Sequence, residues 1–216
     1  MKILNSSSKN FDKVLDSLLL QRKNKVKSDL ISVTSIIKEV KKDGDTALLK
    51  YEKKFNQNNI IIPTTYQISK SIKSLNKKVK KAIDLAYARI YKFHSLQKFK
   101  NISYTDKLKN KLEYRYLPID SVAIYVPGST VSYPSSVLMS AIPAIVAGVK
   151  RIIMINPGFK GKQNPAVLYA AHKCKIKEIY SVGGPSAIAA VAYGTKKIKK
   201  VNKIVGPGNA YVVAAK

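Results

Sequence analysis

Glycine turns follow four short β-rich segments in the second half of this 216-residue chain, and they are its best candidates for ligand binding. Two of them, at residues 182–184 (VGG) and 205–209 (VGPGN), fit a strand–turn–helix pattern. Glycine lets the backbone approach a ligand closely, and the helix that follows offers free N–H groups and a partial positive charge to a pyrophosphate. Neither turn is a full G-x-G-x-x-G fingerprint, but two at the same end of one sheet favour a nucleotide site.

Two polar side chains stand beside these turns, and each has two possible roles. Tyr125 ends the first β-rich segment, shortly before Pro127 and Gly128. Its ring either packs in the core or contacts a cofactor by stacking or hydrogen bonding. Asn209 follows the last glycine, where its side chain either caps a helix or directs an amide at a ligand.

Residues that usually transfer protons or bind metals are scarce in this region. The two histidines are His94 and His172, and the single cysteine is Cys174. His172 and Cys174 are two residues apart, so they do not share a helix face, and two ligands do not close a zinc site. Glu178 is the only acidic residue after Asp120. We therefore expect neither a general base nor a metal site near the ligand-binding end of the sheet.

A parallel β-sheet is predicted to position these residues. The β-rich segments 122–126, 151–155, 178–182 and 203–205 alternate with apolar, alanine-rich helices near 135–148, 164–174 and 185–194, and a last helix starts at residue 210. Strands that alternate with helices indicate βαβ units. Ligands of such sheets bind beyond the carboxyl ends of the strands, which is where the glycine turns fall.

The first 120 residues are predicted to be mostly helical. Apolar spacing indicates helices at 11–19, 31–40 and 72–97, and a short helix capped by Asp45. Residues 60–62 and 112–117 are strand candidates, and residues 99–111 are interpreted as a loop. The predicted fold class is α/β, with a helical N-terminal region over residues 1–120 followed by an incomplete Rossmann-like parallel sheet domain over residues 121–216.

Composition limits the classes of function. The chain carries 40 basic and 12 acidic side chains, a net charge of +28, but only four of the basic residues are arginine. The charge is spread along both halves, which indicates solvated lysines better than a specific nucleic-acid surface. A single cysteine excludes an internal disulfide and is typical of the cytoplasm. No secretory signal is visible and no apolar stretch reaches the roughly 20 residues of a membrane span.

An ordered series of motifs resembles the histidinol dehydrogenase family. The matching segments are 44–48 (GDTAL), 93–97 (FHSLQ), 124–129 (IYVPGS), 134–149, 164–168 (NPAVL), 182–184 (VGG), 187–195 and 203–209 (KIVGPGN). The resemblance implies two NAD-dependent hydride transfers that oxidise L-histidinol to L-histidine through the aldehyde, at the end of histidine biosynthesis. It also implies zinc, a homodimer and two incomplete Rossmann-like domains.

The same resemblance implies NAD contacts at Tyr125, Ser186 and Asn209, although Ser186 stands where the family usually has glutamine. A serine hydroxyl is shorter than an amide and cannot offer both its donor and its acceptor. The family's zinc ligands and its Glu–His catalytic pair are expected beyond Lys216. The chain is therefore predicted to be a fragment or a truncated product that is inactive alone. The alternatives are a basic nucleic-acid-binding protein that reuses the fold, and a remnant without a stable fold.

Overall fold

The computed structural model describes residues 4–128 and 133–216, except for the side chains of residues 21–30. The described part is mixed α/β: helices come first, and a four-stranded parallel sheet with interleaved helices follows. The helices are α1 (Phe11–Asp43), α2 (Asp45–Asn56), α3 (Thr65–Ser74), α4 (Lys77–Ser95), α5 (Pro134–Ala147), α6 (Pro165–Lys173), α7 (Gly184–Tyr193) and α8 (Ala210–Ala215). The strands are β1 (Ile102–Thr105), β2 (Lys111–Tyr114), β3 (Ser121–Tyr125), β4 (Arg151–Ile155), β5 (Glu178–Tyr180) and β6 (Lys203–Val205).

The parallel sheet has the strand order β5-β4-β3-β6. The central strand β3 pairs in register with β4 on one side, where Val122 lies opposite Ile152, and with β6 on the other, where Ala123 lies opposite Ile204. The chain first moves outward from β3 to β5 and then returns to the far side of β3. Such a reversal of strand order opens a crevice at the carboxyl ends of the two strands that flank it, here β3 and β6.

Alternate residues of the strands face two separate apolar cores. Ala123 and Tyr125 join a core with α1, α2, α7 and α8, whereas Ile124 and Val126 join a core with α4, α5 and α6. Because side chains of a strand alternate between its faces, a sheet that is covered on both sides has strands that are apolar at every position. The buried run of residues 122–126 has this pattern.

The N-terminal helices contribute to these same cores. Leu48 and Tyr51 of α2 are buried with the sheet residues on one side, and Ile83 of α4 is buried with those on the other. The four strands and the helices between them were predicted correctly to within two residues. The division into domains at residue 120 stays a prediction.

Several local predictions for the N-terminal region were wrong. The helices expected at 11–19 and 31–40 form one helix, α1, because the lysine-rich segment between them contains neither glycine nor proline. The helix expected over 72–97 is interrupted at Leu75, and Asn76 caps α4 by accepting a hydrogen bond from the Lys78 N–H. Asp45 does not cap α2; its carboxylate accepts a hydrogen bond from the Lys197 N–H.

The strand predictions of this region were also corrected in part. Residues 60–62 form no strand, since Pro63 ends the extended segment, although the Ile61 carbonyl accepts a hydrogen bond from the Ser181 N–H at 2.7 Å. The expected loop at 99–111 contains β1, which pairs antiparallel with β2. Ser129, the last residue of one motif, lies outside the described residues. No helix within the described ranges is both long enough and apolar enough to cross a membrane.

Candidate dinucleotide-binding cleft

A cleft of about 730 Å³ opens at the carboxyl ends of β3 and β6. The turns after four sheet strands form its floor, and α1 and α2 form its wall. Its lining residues come from α1 (Ser32, Ser35, Ile36), α2 (Tyr51, Lys54, Phe55, Asn56), the β3 end (Tyr125, Pro127, Gly128), the β4 and β5 turns (Pro157, Gly183, Gly184, Pro185) and the segment after β6 (Asn209, Tyr211). This is the crevice that the strand order creates, and its size suits a cofactor.

Tyr125 both packs in the core and lines the cleft. Only 5% of the residue is exposed, and its hydroxyl oxygen accepts a hydrogen bond from the Gly184 N–H at 3.1 Å. Burial raises the pKa of the phenol, so it stays neutral across the physiological range. The two roles that the sequence left open are therefore compatible.

Asn209 lines the cleft and caps α8. Its side-chain oxygen accepts a hydrogen bond from the Val212 N–H at 3.0 Å, which confirms the capping role. The cap engages only the oxygen, and the amide nitrogen of the side chain carries two further donors. Asn209 and Tyr125 line the same cleft, as the ligand-binding hypothesis requires. Their contact with NAD stays a prediction.

Ser186 does not line this cleft. The residue is 2% exposed, and its hydroxyl donates to the carbonyl oxygen of Gly183 at 3.1 Å, within the first turn of α7. Its neighbour Pro185 lines the cleft instead. The structure thus brings together two of the three predicted cofactor contacts, and a contact of Ser186 with NAD stays a prediction.

Glu52 contacts one turn of the cleft from a distant part of the sequence. One carboxylate oxygen accepts a hydrogen bond from the Gly183 N–H at 2.7 Å, and the other accepts one from the Asn56 side chain at 2.8 Å. The residue is 1% exposed, and burial raises its pKa to about 7. The sequence analysis did not identify this buried carboxyl group, which is not among the described lining residues of the cleft. The expectation that no general base lies near this end of the sheet stays a prediction. Glu52 follows Leu48 by four residues, so both lie on the same face of α2. This spacing could have indicated from the sequence that Glu52 is buried.

The glycine turn after β5 differs from the expected pyrophosphate cradle. Glu52 and Tyr125 already accept hydrogen bonds from the N–H groups of Gly183 and Gly184, so these two donors are not free. Gly184 has a φ of +65°, and no atom of the described residues lies within 4 Å of the position that a Cβ would take, so these residues leave the cleft open beside this backbone. Lys54 is the one charged side chain among the described residues that line the cleft. It is therefore the cation best placed to meet a phosphate.

The glycine after β6 serves the fold as well as the cleft. A Cβ at Gly206 would lie 2.2 Å from the carbonyl oxygen of Tyr125, and the φ of Gly206 is +111°. Glycine is required here because the backbone after β6 passes close to the backbone of β3. The sequence analysis had instead assigned this glycine to the close approach of a ligand.

Comparison with known proteins identifies the family. The sequence model of histidinol dehydrogenase matches residues 20–216. The chain belongs to the histidinol dehydrogenase family. It is 77% identical over all 216 residues to histidinol dehydrogenase of Pelagibacter ubique and 42% identical to that of Neisseria gonorrhoeae. These alignments cover 50% and 52% of the two relatives, so the chain spans about half the length of the curated relatives it matches.

A crystal structure of histidinol dehydrogenase from Elizabethkingia anophelis has the same fold over the shared region. The TM-score is 0.81 at 37% identity, over 85% of this chain and 43% of that one. The histidinol dehydrogenase family uses NAD and zinc. The cleft fits the first of these, because an open glycine turn, an aromatic ring and a cation converge on it.

Zinc has no matching site in the described part of this histidinol dehydrogenase family member. Residues 4–128 and 133–216 contain no group of three or more His, Cys, Asp or Glu side chains that would hold a metal ion. His172 is exposed, whereas Cys174 is buried. Burial raises the pKa of the Cys174 thiol to about 12, which disfavours the thiolate that binds metals.

Proposed function

We propose that this chain supplies the NAD-binding part of a histidinol dehydrogenase, which oxidises L-histidinol to L-histidine through L-histidinaldehyde. The observation that carries this proposal is the cleft at the reversal of strand order, in a chain of this family, with Tyr125 and Asn209 in its lining. NAD, when bound, accepts the hydride in each of the two oxidation steps.

The residues of the chain bind and orient the cofactor in this proposal. Tyr125 offers an aromatic edge that is held by the Gly184 N–H, so the ring does not have to be ordered when the cofactor arrives. Asn209 offers amide donors from a side chain that its own helix cap already fixes. Lys54 balances the charge of the pyrophosphate.

Zinc ligands are not brought together within residues 4–128 and 133–216, and the described cleft lining contains no histidine or carboxylate side chain for proton transfer. We propose that a region equivalent to the other half of the full-length relatives provides them. The 216-residue chain is then expected to bind NAD and to leave histidinol unoxidised. We also propose that the assembled enzyme is a homodimer, as the family resemblance implies.

Two measurements on the purified 216-residue chain test this function. Calorimetric titration with NAD is expected to show saturable binding, and Asn209→Ser is expected to weaken it. Incubation with L-histidinol, NAD and zinc is expected to produce no NADH. Absence of NAD binding by a folded chain would contradict the cofactor role. Zinc-dependent NADH production would contradict the proposal that a second region provides the zinc ligands and the proton-transferring residues.

A further inference from the structure

Within the described part of the chain, the groups that donate hydrogen bonds to the Glu52 carboxylate are neutral. The Gly183 N–H and the Asn56 amide donate to its two oxygens, and the nearby Asn58 side chain is anchored on the carbonyls of Ile60 and Ser181. A buried carboxylate normally acquires a cationic partner or binds a proton. Here the backbone turn takes the place of the cation, so the negative charge of Glu52 is only partly balanced.

The described groups around Glu52 do not supply a compensating charge either. The titratable side chains in the described cleft lining are Lys54, whose Nζ lies 5.4 Å from the centre of the Phe55 ring, and the phenols of Tyr51, Tyr125 and Tyr211. On α1, Glu39 pairs with Lys50 and with the Tyr51 hydroxyl, and Lys41 lies over the Tyr193 ring of α7. A pyrophosphate in this cleft would therefore add negative charge near a buried carboxylate that has no ion-pair partner among the described residues.

We propose that Glu52 is a positioning residue of the cleft, which holds the Gly183–Gly184 turn and takes up a proton from solvent when an anionic dinucleotide binds. This inference rests on the proposed function. Protonation leaves the turn in place, because both oxygens of a protonated carboxyl group retain lone pairs that accept hydrogen bonds. The proton balances one charge of the pyrophosphate, so the affinity for NAD falls as the pH rises.

The linkage predicts a pH-dependent affinity that one substitution removes. Between pH 6 and pH 8.5 the dissociation constant for NAD is expected to rise about five- to tenfold, as a pKa change of about one unit on binding would give. NAD itself does not titrate in this range, and neither histidine lines the cleft. Calorimetry near pH 7 in two buffers of different ionisation enthalpy is expected to show uptake of a fraction of one proton per NAD bound.

Glu52→Gln is the decisive variant, because the amide oxygen can still accept from the Gly183 N–H. It is expected to bind NAD with a constant affinity across this range and without proton uptake. Glu52→Ala, which also releases the turn, is expected to bind more weakly at every pH. Glu113→Gln makes the same chemical change at an exposed hairpin residue and is expected to keep the behaviour of the unsubstituted chain.

The outcomes separate this inference from the proposed function. Normal NAD binding without proton uptake, or unchanged pH dependence in Glu52→Gln, would overturn the role of Glu52 and leave the cofactor role intact. Failure of the unsubstituted chain to bind NAD at any pH would overturn both.

Discussion

Single side chains of α2 determine the electrostatics of the cleft. Glu52 and Lys54 are two residues apart, so they point in different directions from the helix. Glu52 is buried against the Gly183–Gly184 turn, while Lys54 is exposed at the cleft lining. The Glu52 carboxylate therefore accepts a hydrogen bond from the backbone turn, whereas the Lys54 ammonium group lies where a ligand can reach it. One turn of α2 thus provides both a residue that holds the turn and a cation that attracts an anion.

Lys54→Gln is predicted to weaken NAD binding, because it removes the positive charge that faces the pyrophosphate. The loss should be only about three- to tenfold at low salt, because solvent screens most of the effect of an exposed cation. Lys53→Gln is the matched control, since Lys53 is the preceding residue and does not line the cleft. It should leave the affinity unchanged. Calorimetric titration of both variants measures the difference, and equal losses would indicate that only the general positive charge of the chain matters.

Glu52 is also predicted to make stability depend on pH. Its pKa is about 7 in the folded chain against 4.5 for an unperturbed glutamate, so the folded state binds the proton more tightly than the unfolded state. The free energy of unfolding should therefore fall as the pH rises from about 4.5 to 7, by roughly 2–3 kcal/mol. Urea titrations of Glu52→Gln should lack this decrease. A decrease of the same size in that variant would assign the effect to other groups.

Two short helices, α6 and α8, are capped by asparagine side chains, and one of these caps lies in the cleft. α6 and α8 both begin at an asparagine whose side-chain oxygen accepts a backbone N–H, at Asn164 and at Asn209. Only Asn209 lines the cleft. The hydrogen bond that caps α8 therefore also fixes the position of the Asn209 side chain in the cleft.

Comparison of these two caps separates stability from binding. Asn164→Ala and Asn209→Ala should each lower the free energy of unfolding by about 1 kcal/mol, the usual value of an N-cap. Asn209→Ser should keep most of that stability, because serine caps helices well, yet it should lose the amide contact with NAD. Thermal denaturation and NAD titration of the three variants distinguish the roles. Undiminished NAD binding by Asn209→Ser would contradict the ligand contact.

At the scale of the whole molecule, helices from the first half of the chain complete the core of the second half. Val40 and Leu48 are buried with Ile153 and Val182 on one side of the sheet, and Ile83 is buried with Met154 on the other. In contrast, the β1–β2 hairpin is exposed on both faces, including the apolar side chains of Ile102, Tyr104, Leu112 and Tyr114.

Shared cores of this kind predict cooperative unfolding. Circular dichroism and tyrosine fluorescence should report one coincident thermal transition for the 216-residue chain. Two separated transitions would indicate that the N-terminal helices and the sheet fold independently, and a gradual change would favour the remnant without a stable fold. Light scattering of the assembled enzyme should give twice the mass of its full-length subunit, and the mass of one subunit would contradict the proposed homodimer.

Local patterns in the sequence were sufficient to predict the α/β class, the four parallel strands and two of the polar residues of the cleft, Tyr125 and Asn209. Apolar runs, glycine turns and cap residues act over a few positions, so they can be identified without knowing the fold. The tertiary structure alone decided that Glu52 occupies the turn 131 residues away and that Ser186 points inward. Such contacts depend on how α2 and α7 pack against the same face of the sheet, and spacing along the chain carries no information about that packing.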